Sequence, residues 1–217
     1  MQLTQSQFQT QYEDGTLRLC FIGMSNIGKS YSSELLRDKF NFNYYEVDGE
    51  IQKVIGASGM TDASSWMGYP YEDKYAANEK SYLDLEVEKT GLDLTRVSGN
   101  LVMDTTGSVI YLPESTHKWL KENFLIVSFD VSHSMIEDML GEFFRSPKTV
   151  VWGDSFAQKE GELGLDALRR CYPALLEDRI AKYRTLADVT IPGEFSRLKG
   201  LQADRLFEVL KLSLPKQ

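Results

Sequence analysis

Short apolar runs in this chain alternate with stretches in which apolar residues recur at helical spacing. Together these patterns predict five short strands separated by helices. The strands are expected at residues 17–22, 42–47, 101–103, 124–129 and 189–191. Helices are expected at residues 31–40, 71–89, 113–122, 132–144, 165–187 and 201–212, with a short one opening at Asp48. Pro173 is expected to break or kink the long helix that contains it. This alternation is typical of a three-layer α/β/α fold around a mainly parallel sheet.

The first predicted strand runs directly into a glycine-bounded loop that precedes a helix. A strand, such a loop and a helix form the phosphate-binding P-loop (Walker A), whose amides and helix N-terminus face an anion. Lys29 would reach the β- and γ-phosphates of a nucleotide, and Ser30 would ligate Mg²⁺. The loop has the sequence Gly23-Met24-Ser25-Asn26-Ile27-Gly28-Lys29-Ser30. We expect the nucleotide to contact Gly23, Ser25, Asn26, Ile27, Gly28, Lys29, Ser30 and Tyr31.

Two carboxylates stand near the ends of predicted strands, where they could hold a metal ion beside the loop. Asp104 follows a wholly apolar strand in the manner of a Walker B acid, and Glu46 lies near the end of the second strand. Because the carboxyl ends of parallel strands meet at one edge of a sheet, both are expected near Ser30. The sequence therefore predicts a Mg²⁺ site formed by Ser30, Glu46 and Asp104. A strand-end turn at Asp104 and a solvated strand position at Glu46 are the alternatives.

The composition narrows the classes of partner. The chain has 217 residues, a net charge of −8 and a pI near 4.9, which argues against binding to nucleic-acid phosphates. No run of about 18 apolar residues predicts a transmembrane helix, and the polar N-terminal residues lack the pattern of a secretory signal. The two cysteines, Cys20 and Cys171, provide no disulfide framework, which favours a cytoplasmic location.

Four segments of the chain resemble the shikimate kinase family, one of the families of P-loop small-molecule kinases. The resemblance extends from about Leu17 to Ile191. It rests on the P-loop, on Tyr45-Glu46-Val47-Asp48-Gly49-Glu50-Ile51, on Asp104-Thr105-Thr106-Gly107-Ser108 with Leu112-Pro113-Glu114, and on Leu175–Tyr183 with Ala187-Asp188-Val189. This resemblance implies the strand order 2-3-1-4-5, a mobile lid, and the use of ATP and Mg²⁺.

The resemblance also implies a domain organisation. Residues 1–16 are expected to form an N-terminal extension, and residues 17–213 a single P-loop kinase-like domain. Within this domain, residues from about 52 to 99 would form an acceptor-binding insertion, and residues from about 146 to 163 would form the lid.

Four residues are implied to bind the acceptor of the phosphoryl group. They are Asp48, Thr106, Gly107 and Arg179. By the resemblance, Asp48 would orient or deprotonate the acceptor hydroxyl, and Arg179 would bind the acceptor. The alternative explanation of Asp48 is a helix N-cap, and both roles are compatible. Arg179 is otherwise explained as a surface residue paired with Glu177 or Asp178.

Arg145 is implied to act together with the P-loop lysine. The family has an arginine at the start of its lid, and Arg145 begins the corresponding irregular segment. Arg145 or Lys148 would fold over the phosphates on lid closure, and Lys29, Asp48 and Arg145 form the expected catalytic set. The alternative is a cation placed favourably at the C-terminus of a helix.

The chain departs from the family pattern in three places. It has Glu46 where the family has aspartate, and one certain glycine, Gly107, where the family has a three-glycine turn. The nearest match to the family's Phe-Arg-x-x-Glu segment is Tyr75-Ala76-Ala77-Asn78-Glu79, which contains no arginine. Because alanine cannot replace a carboxylate-binding arginine, this departure argues against shikimate itself as the acceptor.

The sequence thus predicts an ATP-dependent small-molecule kinase that phosphorylates a hydroxyl of a small, anionic acceptor. It would act without nucleic acid or membrane partners, as a monomer or dimer. Two alternatives stay open: a nucleotide-binding regulatory protein that has lost kinase activity, and a nucleoside or nucleotide kinase built on the same core.

Overall fold

The computed structural model describes residues 3–145 and 150–216, and at its centre lies one five-stranded sheet. The strands are β1 (Arg18–Gly23), β2 (Asn43–Glu46), β3 (Leu101–Asp104), β4 (Leu125–Asp130) and β5 (Val189–Pro192). All neighbouring strands pair in parallel, in the spatial order β2-β3-β1-β4-β5. The strand order that the resemblance implied is therefore confirmed.

Helices cover both faces of the sheet and complete the predicted three-layer fold. In the described part of the chain they are α1 (Gln5–Glu13), α2 (Lys29–Phe40), α3 (Val47–Ile55), α4 (Met60–Met67), α5 (Tyr75–Thr90), α6 (Glu114–Asn123), α7 (His133–Arg145), α8 (Gly164–Leu186), α9 (Gly193–Ser196) and α10 (Ala203–Leu212). Single 3₁₀ turns lie at Leu94–Arg96, Val109–Tyr111 and Gly153–Ser155. None of the helices in these two described ranges combines the length and the apolar character needed to cross a membrane.

The structure corrects three local predictions. Helix α4 lies in a stretch that the sequence pattern assigned to a loop, and α8 continues unbroken through Pro173. Residues on both sides of this proline, Tyr172 and Leu175 among them, are buried, so packing outweighs the hydrogen bond that proline removes. Asp48 is not an N-cap, because α3 already begins at Val47 and Asp48 belongs to its first turn.

The N-terminal segment forms a helix where the sequence pattern predicted no element. Helix α1 opens with a capping box at Thr4 and buries the side chain of Phe8 completely. The ring of Phe8 lies 5.2 Å from that of Phe207 in α10, and the ring of Tyr12 lies 4.8 Å from the same residue. The pattern is weak because Phe8 is the one fully buried side chain among the described residues of this helix.

The strand register brings the ends of three strands to one edge of the sheet. Asp104 pairs with Phe21 of β1 on one side and with Glu46 of β2 on the other. Helices α2 and α3 begin just beyond this edge, because each follows β1 or β2 closely in the chain. The fold therefore gathers the P-loop and both candidate metal-binding carboxylates in one place.

We expect the change Phe8→Ala to lower the free energy of unfolding by about 3–5 kcal/mol, because it leaves a cavity against Phe207. Urea unfolding at constant pH measures the effect. The control is Ser6→Ala, which removes an exposed side chain from the same helix and should leave the midpoint unchanged. Equal midpoints for Phe8→Ala and the unaltered protein would show that α1 is not part of the folded core.

Candidate functional site

A cavity of about 380 Å³ opens where the ends of β2 and β3 meet the loop after β1. It joins residues that the sequence analysis singled out separately, from the P-loop to α8. Its walls are Ser25, Asn26, Gly28, Lys29, Ser30, Tyr31, Glu46, Asp48, Gln52, Tyr82, Asp104, Gly107, Ser108, Val151 and Arg179. One cavity thus contains a candidate phosphate-binding wall and a candidate acceptor-binding wall.

The P-loop curls around the side chain of Lys29. The Nζ atom of Lys29 donates hydrogen bonds to the backbone carbonyls of Gly23, at 3.2 Å, and Met24, at 3.1 Å. Gly28 has a φ of 102°, and a Cβ atom there would lie 2.7 Å from the carbonyl oxygen of Ser196. Only glycine is tolerated at this position, because the left-handed conformation and the close approach both exclude a side chain.

Two loop residues of the predicted nucleotide contacts do not line the cavity. Ile27 is completely buried, and Gly23 supplies its carbonyl oxygen to Lys29. Asn26 adopts a φ of 62°, and its side-chain amide donates to Glu142 at 3.2 Å. Gly23 and Ile27 thus shape the loop, while Asn26 and the others of the predicted set line the cavity.

Ser30 and Asp104 form the centre of the candidate metal site. The hydroxyl of Ser30 donates to Oδ2 of Asp104 at 2.6 Å, while Oδ1 of Asp104 is buried without a hydrogen-bond partner among the described residues. Burial raises the pKa of Asp104, against the lowering effect of Lys29. A hydroxyl and a buried carboxylate oxygen without a partner are ligands that suit Mg²⁺.

Glu46 faces the same cavity from the end of β2. Partial burial, followed by the charges of Asp104 and Asp48, raises the pKa of its carboxyl group. Nowhere within residues 3–145 and 150–216, this cavity included, do three His, Cys, Asp or Glu side chains meet in a group that could hold a metal ion. A Mg²⁺ ion here would therefore rely on phosphate oxygens and water to complete its coordination.

Asp48 presents its carboxylate on the opposite wall. Its Oδ1 atom accepts a hydrogen bond from the hydroxyl of Tyr82 in α5, at 2.8 Å. Burial holds the pKa of the Tyr82 phenol well above its usual value, so this hydroxyl is a donor at neutral pH. The hydroxyl of Tyr82 thus orients the carboxylate of Asp48, and Asp48 also lines the cavity.

Arg179 is a buried cation that lines the cavity. Its Nη2 atom donates to the carbonyl oxygen of Val151 at 2.5 Å, and its guanidinium lies 5.5 Å from the ring of Tyr111. Among the described residues, Nε has no hydrogen-bond partner and no carboxylate forms an ion pair with this arginine. The interpretation of Arg179 as a surface residue is wrong, because its side chain is 6% exposed.

The turn at residues 106–108 carries one glycine between two hydroxyl side chains. Gly107 lines the cavity, and a Cβ atom there would lie 3.3 Å from Nη1 of Arg179 and 3.8 Å from the amide nitrogen of Ser25. Gly107 therefore lies between the P-loop and the buried arginine. Thr106, predicted to bind the acceptor, is buried and does not line the cavity.

Two residues of α5 belong to the candidate site or its support but are absent from the predicted set of site residues. Tyr82 contacts Asp48, and Glu86, one helical turn later, accepts hydrogen bonds from the hydroxyls of Thr106 and Ser108. Both side chains are buried. The sequence signal for these two residues was their spacing, in which three residues separate the aromatic residue from the glutamate.

The same spacing occurs at Tyr75 and Glu79, the nearest sequence match to the family's Phe-Arg-x-x-Glu segment. The hydroxyl of Tyr75 donates to the carbonyl of Val150 at 3.0 Å, and Glu79 accepts from the amide of Trp152 at 2.7 Å. Neither residue lines the cavity. Tyr82, which has the same spacing to Glu86, does line the cavity. The residue after Tyr82 is Leu83, so this segment contains no arginine either.

Arg145 lies apart from the other predicted catalytic residues. It is exposed at the end of α7, and its Nε atom donates to the carbonyl of Gly141 at 3.1 Å. Of the expected lid, residues 146–149 lie outside the described residues, while Val151 and Trp152 are buried. A catalytic role for Arg145 stays a prediction, as does the mobility of the lid.

The pKa of Glu86 generates a prediction about pH and stability. Burial raises this pKa to about 7, whereas the hydroxyls of Ser108 and Thr106 lower it. The folded protein then binds this proton more tightly than the unfolded chain does. The resulting stabilisation is complete below the unfolded pKa, near pH 4.3, and is lost as the pH rises through about 7, a change of up to about 3 kcal/mol.

Urea unfolding between pH 5 and pH 8 measures this effect, because the free energy of unfolding should decrease with pH and Glu86→Gln should flatten that decrease. The matched control is Glu88→Gln, which changes an exposed carboxylate on the same helix. Identical pH slopes for the unaltered protein and Glu86→Gln would contradict the prediction.

Comparison with known proteins identifies the fold. No family model and no curated protein matches the chain. Among solved structures, a shikimate kinase from Acinetobacter baumannii in complex with shikimate is similar over 92% of this chain and 94% of its own, with a TM-score of 0.61 and 19% identity. The shikimate kinase from Bacteroides thetaiotaomicron covers 90% and 97%, with a TM-score of 0.59 and 14% identity.

A third structure, the shikimate kinase from Aquifex aeolicus, is 22% identical over 91% of this chain and 95% of its own, with a TM-score of 0.55. These similarities span nearly the whole of each chain. The resemblance inferred from four short segments is thus confirmed at the level of the fold: this chain has the fold of the shikimate kinases.

Proposed function

We propose that this protein is an ATP-dependent small-molecule kinase that transfers the γ-phosphoryl group of Mg·ATP to a hydroxyl of a small anionic acceptor. The proposal rests on one observation above all. The buried Arg179, which forms no ion pair among the described residues, shares a cavity with Asp48 and the P-loop. A buried cation that forms no ion pair is costly, and an anionic ligand would relieve that cost.

The donor half of the proposed site is the P-loop wall. Lys29 and the loop amides would bind the phosphates, and Ser30 with Asp104 and Glu46 would hold Mg²⁺. The unpartnered Oδ1 of Asp104 fits this assignment. When bound, Mg²⁺ would offset the negative charge of the phosphates.

The acceptor half is the wall formed by Asp48, Gly107 and Arg179. Arg179 would bind the anionic group of the acceptor, and Asp48 would accept the proton of the acceptor hydroxyl as its oxygen attacks phosphorus. Phosphoryl transfer depends mainly on positioning and on charge neutralisation, so these fixed groups suffice. Arg145, after a movement of the segment that follows it, would add a cation near the phosphates.

The acceptor is proposed to be a hydroxy acid other than shikimate. Arg179 and Lys29 are the cationic side chains among the residues that line the cavity. Lys29 belongs to the donor half, which leaves Arg179 alone to bind a carboxylate or a similar group. Leu83 follows Tyr82 at the position where the family pattern has an arginine. Arg179 would therefore bind the acceptor without the help of a second guanidinium.

We further propose a cytoplasmic location, with the protein acting as a monomer or dimer. Both cysteines are buried as free thiols, which suits a reducing compartment.

Transfer to an acceptor is tested by ADP release from Mg·ATP with shikimate, quinate, glycerate or gluconate present. At least one acid other than shikimate should raise the rate above that with water alone. Asp48→Asn should lower kcat about 10²–10⁴-fold without changing ATP binding, because it removes the proton acceptor. Lys29→Met should abolish ATP binding measured by calorimetry.

A different outcome is that the protein binds Mg·ATP, that no acid raises ADP release and that Asp48→Asn changes nothing. The protein would then be a nucleotide-binding regulator, and the kinase proposal would be wrong. A strong response to nucleosides or nucleotides tested in the same way would favour a nucleoside or nucleotide kinase instead.

The role of Arg179 is tested by Arg179→Lys. Because lysine keeps the charge but lacks the planar pair of donors, the KM for the acceptor should rise at least about tenfold, while the KM for ATP stays the same. Arg184→Lys is the matched control, since Arg184 lies on the same helix and pairs with Asp130 at the surface. An equal rise in both KM values would contradict an acceptor-binding role.

A further inference from the structure

A groove of about 370 Å³ lies between helices α6 and α8, away from the cavity that contains the P-loop. Its walls are Ile110, Glu114, His117, Lys121, Ala181, Lys182, Thr185 and Leu186. None of these described residues lines the first cavity. A cavity of roughly 300 Å³ or more has room for a small organic molecule. This α6–α8 groove therefore has the size of a ligand site that the proposed reaction does not use.

The polar walls of the α6–α8 groove come from two helices, so the backbone fixes their spacing. Glu114, His117 and Lys121 occupy positions i, i+3 and i+7 of α6, which places them along one helical face. Lys182 and Thr185 are three residues apart on α8 and share a face in the same way. The groove thus presents its polar groups from two rigid elements rather than from a loop.

Two hydrogen bonds hold polar side chains of the groove in place. The Nε2 atom of His117 donates to the backbone carbonyl of Val109 at 2.7 Å, and the hydroxyl of Thr185 donates to the carbonyl of Ala181 at 3.0 Å. Because a carbonyl only accepts, the neutral ring of His117 carries its proton on Nε2. The positive charge of the groove at neutral pH therefore comes from its lysines.

The charge of the groove is opposite to that of the whole chain. The chain has 24 lysine and arginine residues against 32 acidic residues. The described residues that line the groove include two lysines, Lys121 and Lys182, and one carboxylate, Glu114. A local excess of positive charge on an acidic protein favours an anionic ligand.

Lys182 already has a partner, but one that a ligand can replace. Its Nζ atom lies 2.6 Å from Oδ2 of Asp178, one helical turn earlier, and the two side chains are 44% and 37% exposed. Exposed ion pairs of this kind contribute little to stability. A carboxylate in the groove can therefore compete with Asp178 for Lys182.

Apolar side chains complete the groove. Ile110 and Leu186 are largely buried and still line it, and Ala181 adds a methyl group from α8. An apolar group of a ligand that covers these residues is stabilised, because both surfaces are then removed from water. Lysines beside apolar surface fit a ligand that has one charged end and one apolar end.

Tyr111 connects the groove to the buried arginine of the first cavity. The Nζ atom of Lys182 lies 4.6 Å from the centre of the Tyr111 ring, and the guanidinium of Arg179 lies 5.5 Å from the same centre. The hydroxyl of Tyr111 donates at 3.2 Å to Asp178, the carboxylate that also pairs with Lys182. A ligand that draws Lys182 away would therefore change the charges around Tyr111, which Arg179 contacts.

We propose that the α6–α8 groove is a second ligand site, which binds a small carboxylate with an apolar body. The carboxylate pairs with Lys121 and Lys182, and the apolar body covers the apolar residues of the groove. When it binds, Lys182 leaves Asp178, and the change reaches Arg179 through Tyr111. The site is separate from the proposed reaction and does not depend on it, so its ligand acts as an effector rather than as a substrate.

Benzoate is the probe, in a titration of the full-length, ¹⁵N-labelled protein followed by NMR. The backbone amides of Ile110, His117 and Thr185 should shift along one saturable curve. Benzamide, which has nearly the same shape without the charge, should bind about five- to thirtyfold more weakly, because it forms neither of the two exposed charge pairs. Inorganic phosphate, which has the charge without an apolar body, should also bind more weakly than benzoate.

Two variants assign the binding to the lysines of the groove. The double change Lys121→Gln with Lys182→Gln should weaken benzoate binding by the same factor, because glutamine keeps part of the stem and removes the charge. The matched control is Lys118→Gln, since Lys118 lies on α6 outside the groove and pairs with Glu122. This control should leave the affinity for benzoate unchanged, and both variants should keep the amide spectrum of the folded protein.

The Nε–H resonance of Arg179 reports the link to the first cavity. It should shift as benzoate saturates the groove. This shift should be lost in the double lysine variant and kept in Lys118→Gln.

Equal affinities for benzoate in the double variant and in the unaltered protein would overturn the proposal, as would benzamide that binds as tightly as benzoate. An Arg179 resonance that shifts equally in the double variant would show that benzoate binds in the first cavity instead, which also overturns it. Saturation of the groove with no change at Arg179 would overturn the link through Tyr111.

Discussion

The parallel register of β2, β3 and β1 is the constraint on which the rest of the structure depends. It sets Asp104 beside Glu46 on one side and beside Phe21 on the other. Phe21 lies two residues before Gly23, where the loop begins. The helix after that loop then starts close enough for Ser30 to donate a hydrogen bond to Asp104. Because the carboxyl ends of parallel strands share one edge, residues far apart in the sequence converge without a special arrangement.

The donor wall could be predicted from the sequence because its signals are local. The P-loop is a continuous motif, and Asp104 directly follows an apolar strand. The strand order came from resemblance to a family, since strand periodicity alone does not determine which strands are neighbours. Helix α1 was missed because a single buried phenylalanine in a glutamine-rich segment leaves almost no pattern.

The acceptor wall could be predicted only in part, because its contacts are distant in sequence. Arg179 and Gly107 were found through the resemblance, but the burial of Arg179 depends on how α8 packs. Glu86 resembles any surface glutamate of a helix until its hydroxyl partners, 20 and 22 residues away, are known. A catalytic role for Arg145 stays a prediction, because it depends on closure of the proposed lid over the phosphates.

The central claim is that one cavity holds a nucleotide and an anionic acceptor on facing walls. The most direct test is a crystal structure of the protein with Mg²⁺, a non-hydrolysable ATP analogue and a hydroxy acid. We expect the γ-phosphate between Lys29 and Asp48, the metal ion at Ser30 and Asp104, and the acid on Arg179. A nucleotide bound away from the P-loop, or an acid bound away from Arg179, would contradict it.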